Sequence, residues 1–326
     1  MKIELPLSFG RSDHERLLPA FVPFYKTDYG LAYLADPLDV LRALPEGSIN
    51  LVIASPPSLH QFKTTQGGTD ESGYIQSLLP FAREIHRILR EDGSLVLTMG
   101  GSYNQGGPTK ALHHFRLLIA LVEQIGFHLA QECFWYNPAK MPTPAEWVTV
   151  RRIRIKESVE YVWWLGRSPF PKADNTRVLK PYSKESTRLG TRGAKRTGGL
   201  SRPGMHQALG KAQAGGAIPP NVIEGDIPDS LLRIGGYAAT DKYALRCKEM
   251  GLRIHPAKFP AALPEFFILM LTDPNDIVLD PFAGSNMTGA VAETMQRRWI
   301  AIEQDEECLA SSKLRFDPLL SGGNER

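Results

Sequence analysis

Cysteine is scarce here, with three residues in 326. Cys133, Cys247 and Cys308 lie far apart and form no C-x-x-C pair. That spacing argues against a zinc site or a disulfide framework and leaves buried free thiols. The eight histidines include His113-His114 but no H-E-x-x-H pattern, so no metal is expected. Long apolar runs are also missing. None approaches the roughly 18 residues of a membrane span. The opening "MKIELPLSFGRSDHERL" carries charges throughout and has no apolar signal core. The expectation is a cytoplasmic protein with no membrane partner. No internal repeat is visible.

A net charge of one sign is nearly absent too, at +3. It is unevenly placed. Residues 151–215 hold 15 Lys/Arg against 4 Asp/Glu, an excess of +11, so the remainder sums to −8. Such asymmetry points to a polyanion partner, or else to a solvated basic insertion.

What is present is alternation. "GLAYLADPLDVLRALPEGSINLVIASPP" reads as strand, turn, short helix, strand, with Leu38, Val40, Leu41 and Leu44 at helical spacing. "INLVIA" is a continuous apolar run, the mark of a strand covered on both faces. "YIQSLLPFAREIHRILREDGSLVLTMGG" repeats the theme, with a helix ending near Asp92-Gly93. "HHFRLLIALVEQIGFHLAQECFWYN" and "ESVEYVWWLGRS" supply a helix and two more strands. From Pro169 to about Pro220 the chain is rich in Gly, Pro, Ser, Thr, Lys and Arg and shows little periodicity. Helix and strand then resume. The pattern predicts a mostly parallel, doubly wound α/β sheet of about seven strands. Residues 1–164 and 226–326 would form it, with a smaller, loop-rich lobe at 165–225.

Two stretches carry chemistry. In "DIVLDPFAGSNMTG" a buried strand ends in Asp280, turns through Gly284 and enters a helix near Met287. Gly284 permits close ligand approach, and the helix start offers N–H donors. The next strand ends in Glu303, placed to accept ribose hydroxyls. An ordinary βα turn would look similar. The second stretch is "ASPPS". Its prolines fix the directions of the Ser55 and Pro56 carbonyls, and the Ser55 hydroxyl can accept a hydrogen bond. Rigid acceptors at a strand end suit a neutral amine that must donate its protons. A plain loop is the alternative for this motif taken alone.

Taken together the motifs resemble those of the S-adenosylmethionine-dependent amino-group DNA methyltransferases. Ser55, Pro56, Pro57 and Ser58 match the catalytic S/D/N-P-P-aromatic motif, and "DPFAGSNMTG" matches the methionine-binding loop. "HPAKFP", residues 255–260, matches the segment that precedes that loop. The order, catalytic motif first and cofactor motif last, is that of the β group. Serine at the first position resembles the cytosine-N4 enzymes. The likeness covers most of residues 30–315.

The resemblance implies a Rossmann-like methyltransferase fold and S-adenosylmethionine as cofactor. It implies methylation of N4 of a cytosine flipped from double-stranded DNA, in a restriction–modification setting. Adenine N6 as target, or a weakly active DNA-binding homologue, are the alternatives. Cofactor contacts carry over to Asp36, His255, Pro256, Lys258, Phe259, Asp280, Phe282, Gly284, Ser285, Asn286 and Glu303. Asp36 serves equally well as a helix cap, and Phe282 as a core aromatic. In the basic region, DNA contacts fall on Arg151, Arg152, Arg154, Lys156, Arg188, Arg192, Lys195 and Arg196. Trp163 and Trp164 are expected in the core. Where relatives carry Phe or Tyr to stack on the base, this chain has Ser58; Trp135, Tyr136 or Phe62 could supply the ring. Carbon-5 methylation is set aside, because no cysteine follows a proline. Oligomeric state is left open.

Overall fold

Apolar runs too short for membranes but flanked by glycine and proline become buried strands when helices cover both faces. The computed structural model shows this arrangement over residues 13–59, 71–104, 106–138, 140–181, 216–224, 242–255 and 260–316. The strands are β1 (Tyr25–Lys26), β2 (Gly30–Leu34), β3 (Ile49–Ala54), β4 (Leu89–Met99), β5 (His128–Tyr136), β6 (Val159–Gly166), β7 (Val222–Glu224), β8 (Ile277–Asp280) and β9 (Arg298–Glu303). They form one nine-stranded sheet in the order β1-β2-β9-β8-β3-β4-β6-β5-β7. The seven expected strands are its body. The additions, β1 and β7, have two and three residues and sit at the edges. From β2 to β4 every pairing is parallel; β6 runs antiparallel to both β4 and β5.

Residues alternate between two cores. Val52 and Ala54 of β3 join a cluster with α1 (Pro37–Ala43), α2 (Glu71–Ile88) and α3 (His113–Ala120). Leu51 and Ile53 join the other, with α5 (Ala262–Leu271), α6 (Met287–Thr294) and α7 (Glu306–Ser312). One further helix, α4 (Lys242–Glu249), lies between β7 and α5 in the chain. Trp163 is fully buried, and Trp164 packs against the second cluster while its indole N–H donates to Ser94 Oγ at 2.9 Å.

One boundary differs from the sequence reading. α2 ends at Ile88, not near Asp92-Gly93. Leu89 is fully buried and pairs with Ile49, residues 90–92 bulge outward exposed, and pairing resumes at Ser94 with Leu51. Burial of Leu89 against the first core outweighs the helical propensity of the charged residues that follow. A second observation concerns the 165–225 segment: its β7 joins the main sheet beside β5, and Asp174 and Arg177 bond to Met270 and Thr272 at the end of α5. Residues 182–215 lie outside the described residues. Among the described residues no helix is long and apolar enough to cross a membrane, and no cluster of His, Cys, Asp or Glu could hold a metal.

The topology positions the site. β3 and β8 are neighbours, yet β3 leads through α2 to β4 on one side and β8 leads through α6 to β9 on the other. A crevice therefore opens at their carboxyl ends, the switch point where α/β sheets take ligands.

Candidate active site

The crevice is a cavity of about 670 Å³. Its walls include Ser55, Pro56, Pro57 and Ser58 after β3, and Phe282, Gly284 and Ser285 after β8. Asp36, His255 and Glu303 complete the wall on the Gly284 side. Two motifs from opposite halves of the chain thus share one space.

The glycine loop is held from beneath. Gly284 has φ +51°, and a Cβ there would meet the His255 ring at 3.0 Å. Its N–H donates to Glu303 Oε2 at 2.7 Å, while Glu303 Oε1 accepts from the N–H groups of Gln304 (2.8 Å) and Asp305 (2.9 Å). Asp36 is the helix cap and also a wall residue. It caps α1 by accepting from Leu38 N–H at 2.8 Å, and it faces the cavity, where Gln304 Nε2 donates to its other oxygen at 3.0 Å. Phe282 likewise packs on Phe81, with centroids 5.5 Å apart, and lines the cavity.

Asp280 and Asn286 sit behind the loop rather than on the cavity wall, and both are buried. Asp280 has the strand parity of Val278, so it faces α6, where it accepts from Thr288 Oγ1 (2.6 Å) and from Phe282 N–H (3.0 Å). Burial pushes its carboxyl up to about 7 against those two hydrogen bonds. Asn286 is in the left-handed region and caps α6 by accepting from Gly289 N–H at 3.0 Å; its amide donates to Tyr25 Oη at 2.9 Å. Both residues brace the loop from below. Pro256, Lys258 and Phe259 lie outside the described residues.

On the side of the β3 turn, Ser55 and Pro56 are half-buried, and Pro57 and Ser58 are exposed. Sheet pairing stops at Ala54–Leu97, so Ser55 and Thr98 follow next on neighbouring strands, and both line the cavity. Tyr74 on α2 escaped the sequence reading. Its hydroxyl donates to Pro57 O at 2.8 Å, and its ring meets His113 edge-on at 5.7 Å. It sits among apolar residues at helical spacing and reads as core; only the fold shows its hydroxyl at the turn. Trp135 is on the cavity wall, Tyr136 is 40% exposed and off it, and Phe62 lies outside the described residues. Lys140 and Glu160, an ion pair at 3.4 Å, also face the space.

The basic residues 151–156 are all exposed. Arg151 pairs with Glu146 at 2.6 Å and lies over the Trp147 ring at 4.9 Å. Arg154 and Lys156 donate to the carbonyls of Pro108 (3.0 Å) and Pro138 (2.6 Å). Arg152 has φ +55°. Arg188, Arg192, Lys195 and Arg196 lie outside the described residues.

The family model described as DNA methylase matches residues 49–314. The chain belongs to the DNA methylase family. Among curated relatives, this methylase is 42% identical over 297 residues to type II methyltransferase M.PvuII of Proteus hauseri, covering 90% of this chain and 85% of that one. It is 24% identical over 312 residues to M.BglII of Bacillus subtilis, covering 93% and 74%. Among solved structures it superposes on the PvuII DNA methyltransferase (cytosine-N4-specific) with TM-score 0.72 at 38% identity, covering 91% and 89%. A DNA modification methylase of Thermus thermophilus, solved with S-adenosyl-L-methionine, shares the fold at TM-score 0.51 and 19% identity, covering 89% of this chain and 94% of that one.

Proposed function

We infer that this methylase transfers a methyl group from S-adenosylmethionine to the exocyclic N4 of cytosine in double-stranded DNA, at a specific site, as the modification arm of a restriction–modification system. The observation that carries the reading is the single cavity lined by both the Ser55-Pro56-Pro57 turn and the Gly284 loop.

The cofactor half fits its group. Gly284 leaves a notch that any Cβ would fill, and Glu303 stands at the strand end with an acid's capacity for hydroxyl donors. Asp36, His255, Phe282, Gly284, Ser285 and Glu303 are the residues assigned to hold the cofactor. S-adenosylmethionine supplies a methyl carbon made electrophilic by its sulfonium, which keeps the bonding pair when the methyl leaves.

The chain's task is to present the amine. The N4 lone pair is delocalised into the ring, so nitrogen is a weak nucleophile until its geometry becomes more tetrahedral. The Ser55 hydroxyl and the Pro56 carbonyl accept the two amine protons and turn the lone pair toward the cofactor side. No hydrogen bond among the described residues occupies either acceptor. The neighbouring Pro57 carbonyl is held by Tyr74, which fixes the turn. Fixed dipoles of this kind act without reorganising during the reaction. One amine proton is lost as the N–C bond forms; Ser55 Oγ accepts it and passes its own to water. The base reaches the cavity only by leaving the duplex, at a cost of a few kcal/mol. Trp135 is the wall residue assigned to cover its face in place of a ring at position 58. The exposed cations at 151–156 contact phosphates.

The test is direct. Purified protein is incubated with unmethylated plasmid DNA and methyl-labelled cofactor, and the digested nucleosides are separated. Label in N4-methylcytosine within a fixed sequence context is expected. Label in N6-methyladenine, or cofactor binding without transfer to any DNA, would overturn the assignment.

A further inference from the structure

We infer that Ile155 is the wedge that enters the duplex as the target base leaves it, an inference that rests on the base-flipping reading above. Ile155 is 87% exposed and stands between two exposed cations, Arg154 and Lys156. Its segment is fastened to two stretches of chain that each reach the cavity wall. At the first, Lys156 donates to Pro138 O at 2.6 Å, and Asn137 N–H donates to Ser158 O at 2.7 Å; Asn137 is itself a wall residue. At the second, Arg154 donates to Pro108 O at 3.0 Å, and Glu157 pairs with Lys110. That loop begins at Gly100–Ser102, also on the wall.

A large apolar side chain is thus held in water by a pinned backbone, beside the cavity that takes the base. Its neighbouring cations match a phosphate backbone on either side. Duplex-deforming proteins insert apolar side chains between base steps, and a flipped base leaves such a gap. Phe170 is equally exposed at 87%, but it follows Gly166, which pairs with Ser94 at the end of the sheet remote from the cavity. It serves as the control for losing an exposed apolar group.

The substrate is a duplex oligonucleotide bearing a site mapped on plasmid DNA methylated by the native protein. Ile155→Ala is expected to lower turnover on this duplex about tenfold, with cofactor affinity unchanged. The fluorescence of 2-aminopurine at the target position, a report of unstacking, should fall with it. An abasic site opposite the target base should restore most of the native rate, because the pairing to be broken is already gone. Phe170→Ala should match the native protein throughout. Native turnover and signal in Ile155→Ala, or equal losses on paired and unpaired substrates, would overturn the wedge alone. A native protein that methylates no DNA would overturn the base-flipping reading and the wedge with it.

Discussion

Two hydroxyls, those of Ser55 and Tyr74, meet the Ser55-Pro56-Pro57 turn in different ways. Both residues line the cavity, but Tyr74 also donates to Pro57 O and is proposed to act through it, so the two should fail differently. In the proposed mechanism Ser55→Ala removes an acceptor for the reacting nitrogen, and turnover should drop about 100-fold with cofactor binding intact. Tyr74→Phe keeps the buried ring and removes the hydroxyl's bonds to Pro57 O and Met99 Sδ. A drop of about tenfold in kcat, with KM for cofactor within twofold, is expected from steady-state kinetics. A melting temperature that collapsed together with cofactor affinity would assign Tyr74 to the core instead. Gly284 depends on its lack of a side chain. Gly284→Ala imposes a Cβ on a left-handed backbone and on the His255 ring, a strain of about 1–2 kcal/mol. Calorimetric titration should show cofactor affinity weakened about tenfold or more.

The loop between β8 and α6 rests on a buried acid. Asp280 sits between the end of β8 and the start of α6, and desolvation lifts its carboxyl to about 7 while Thr288 and Phe282 oppose the rise. A raised folded-state value means that folding favours the protonated form. The stabilisation from Asp280 is therefore full below the ordinary carboxylate range near 4 and is lost as pH rises through about 7. Asp280→Asn removes that dependence. Between pH 5 and pH 8 the native melting temperature should fall by roughly 4–8 °C more than that of the variant. Parallel curves would show that Asp280 does not titrate in this window. The same element illustrates the limits of a motif. "DPFAGSNMTG" identified the loop, but which of its side chains face the cavity depends on strand parity and helix capping. These turn Asp280 and Asn286 inward and leave Phe282, Gly284 and Ser285 at the cavity.

Charge is partitioned across the whole molecule. The +11 excess of residues 151–215 against −8 elsewhere should make DNA binding steeply salt-dependent through counterion release. Among the described residues, Arg152 forms none of the hydrogen bonds that occupy Arg151, Arg154 and Lys156. Arg152→Ala is expected to reduce the slope of log affinity against log salt by about 1 without changing sequence preference, as measured by titration at several salt concentrations. An unchanged slope would place Arg152 away from the phosphates.

At this scale the division between sequence and structure is clear. Continuous apolar runs, helical spacing and proline or glycine punctuation determined the α/β class, the identity of seven strands and the two motifs, because each reflects burial or backbone geometry within a few residues. The meeting of Ser55 with Gly284 was decided only by the tertiary structure. It requires β3 and β8 to be neighbours whose onward connections diverge, and that pairing is a long-range contact that no local pattern encodes. The same holds for Tyr74, which looks like core until α2 packs against the turn, and for Ile155, whose isolation in solvent depends on anchors at Pro108 and Pro138 that lie far from it in sequence.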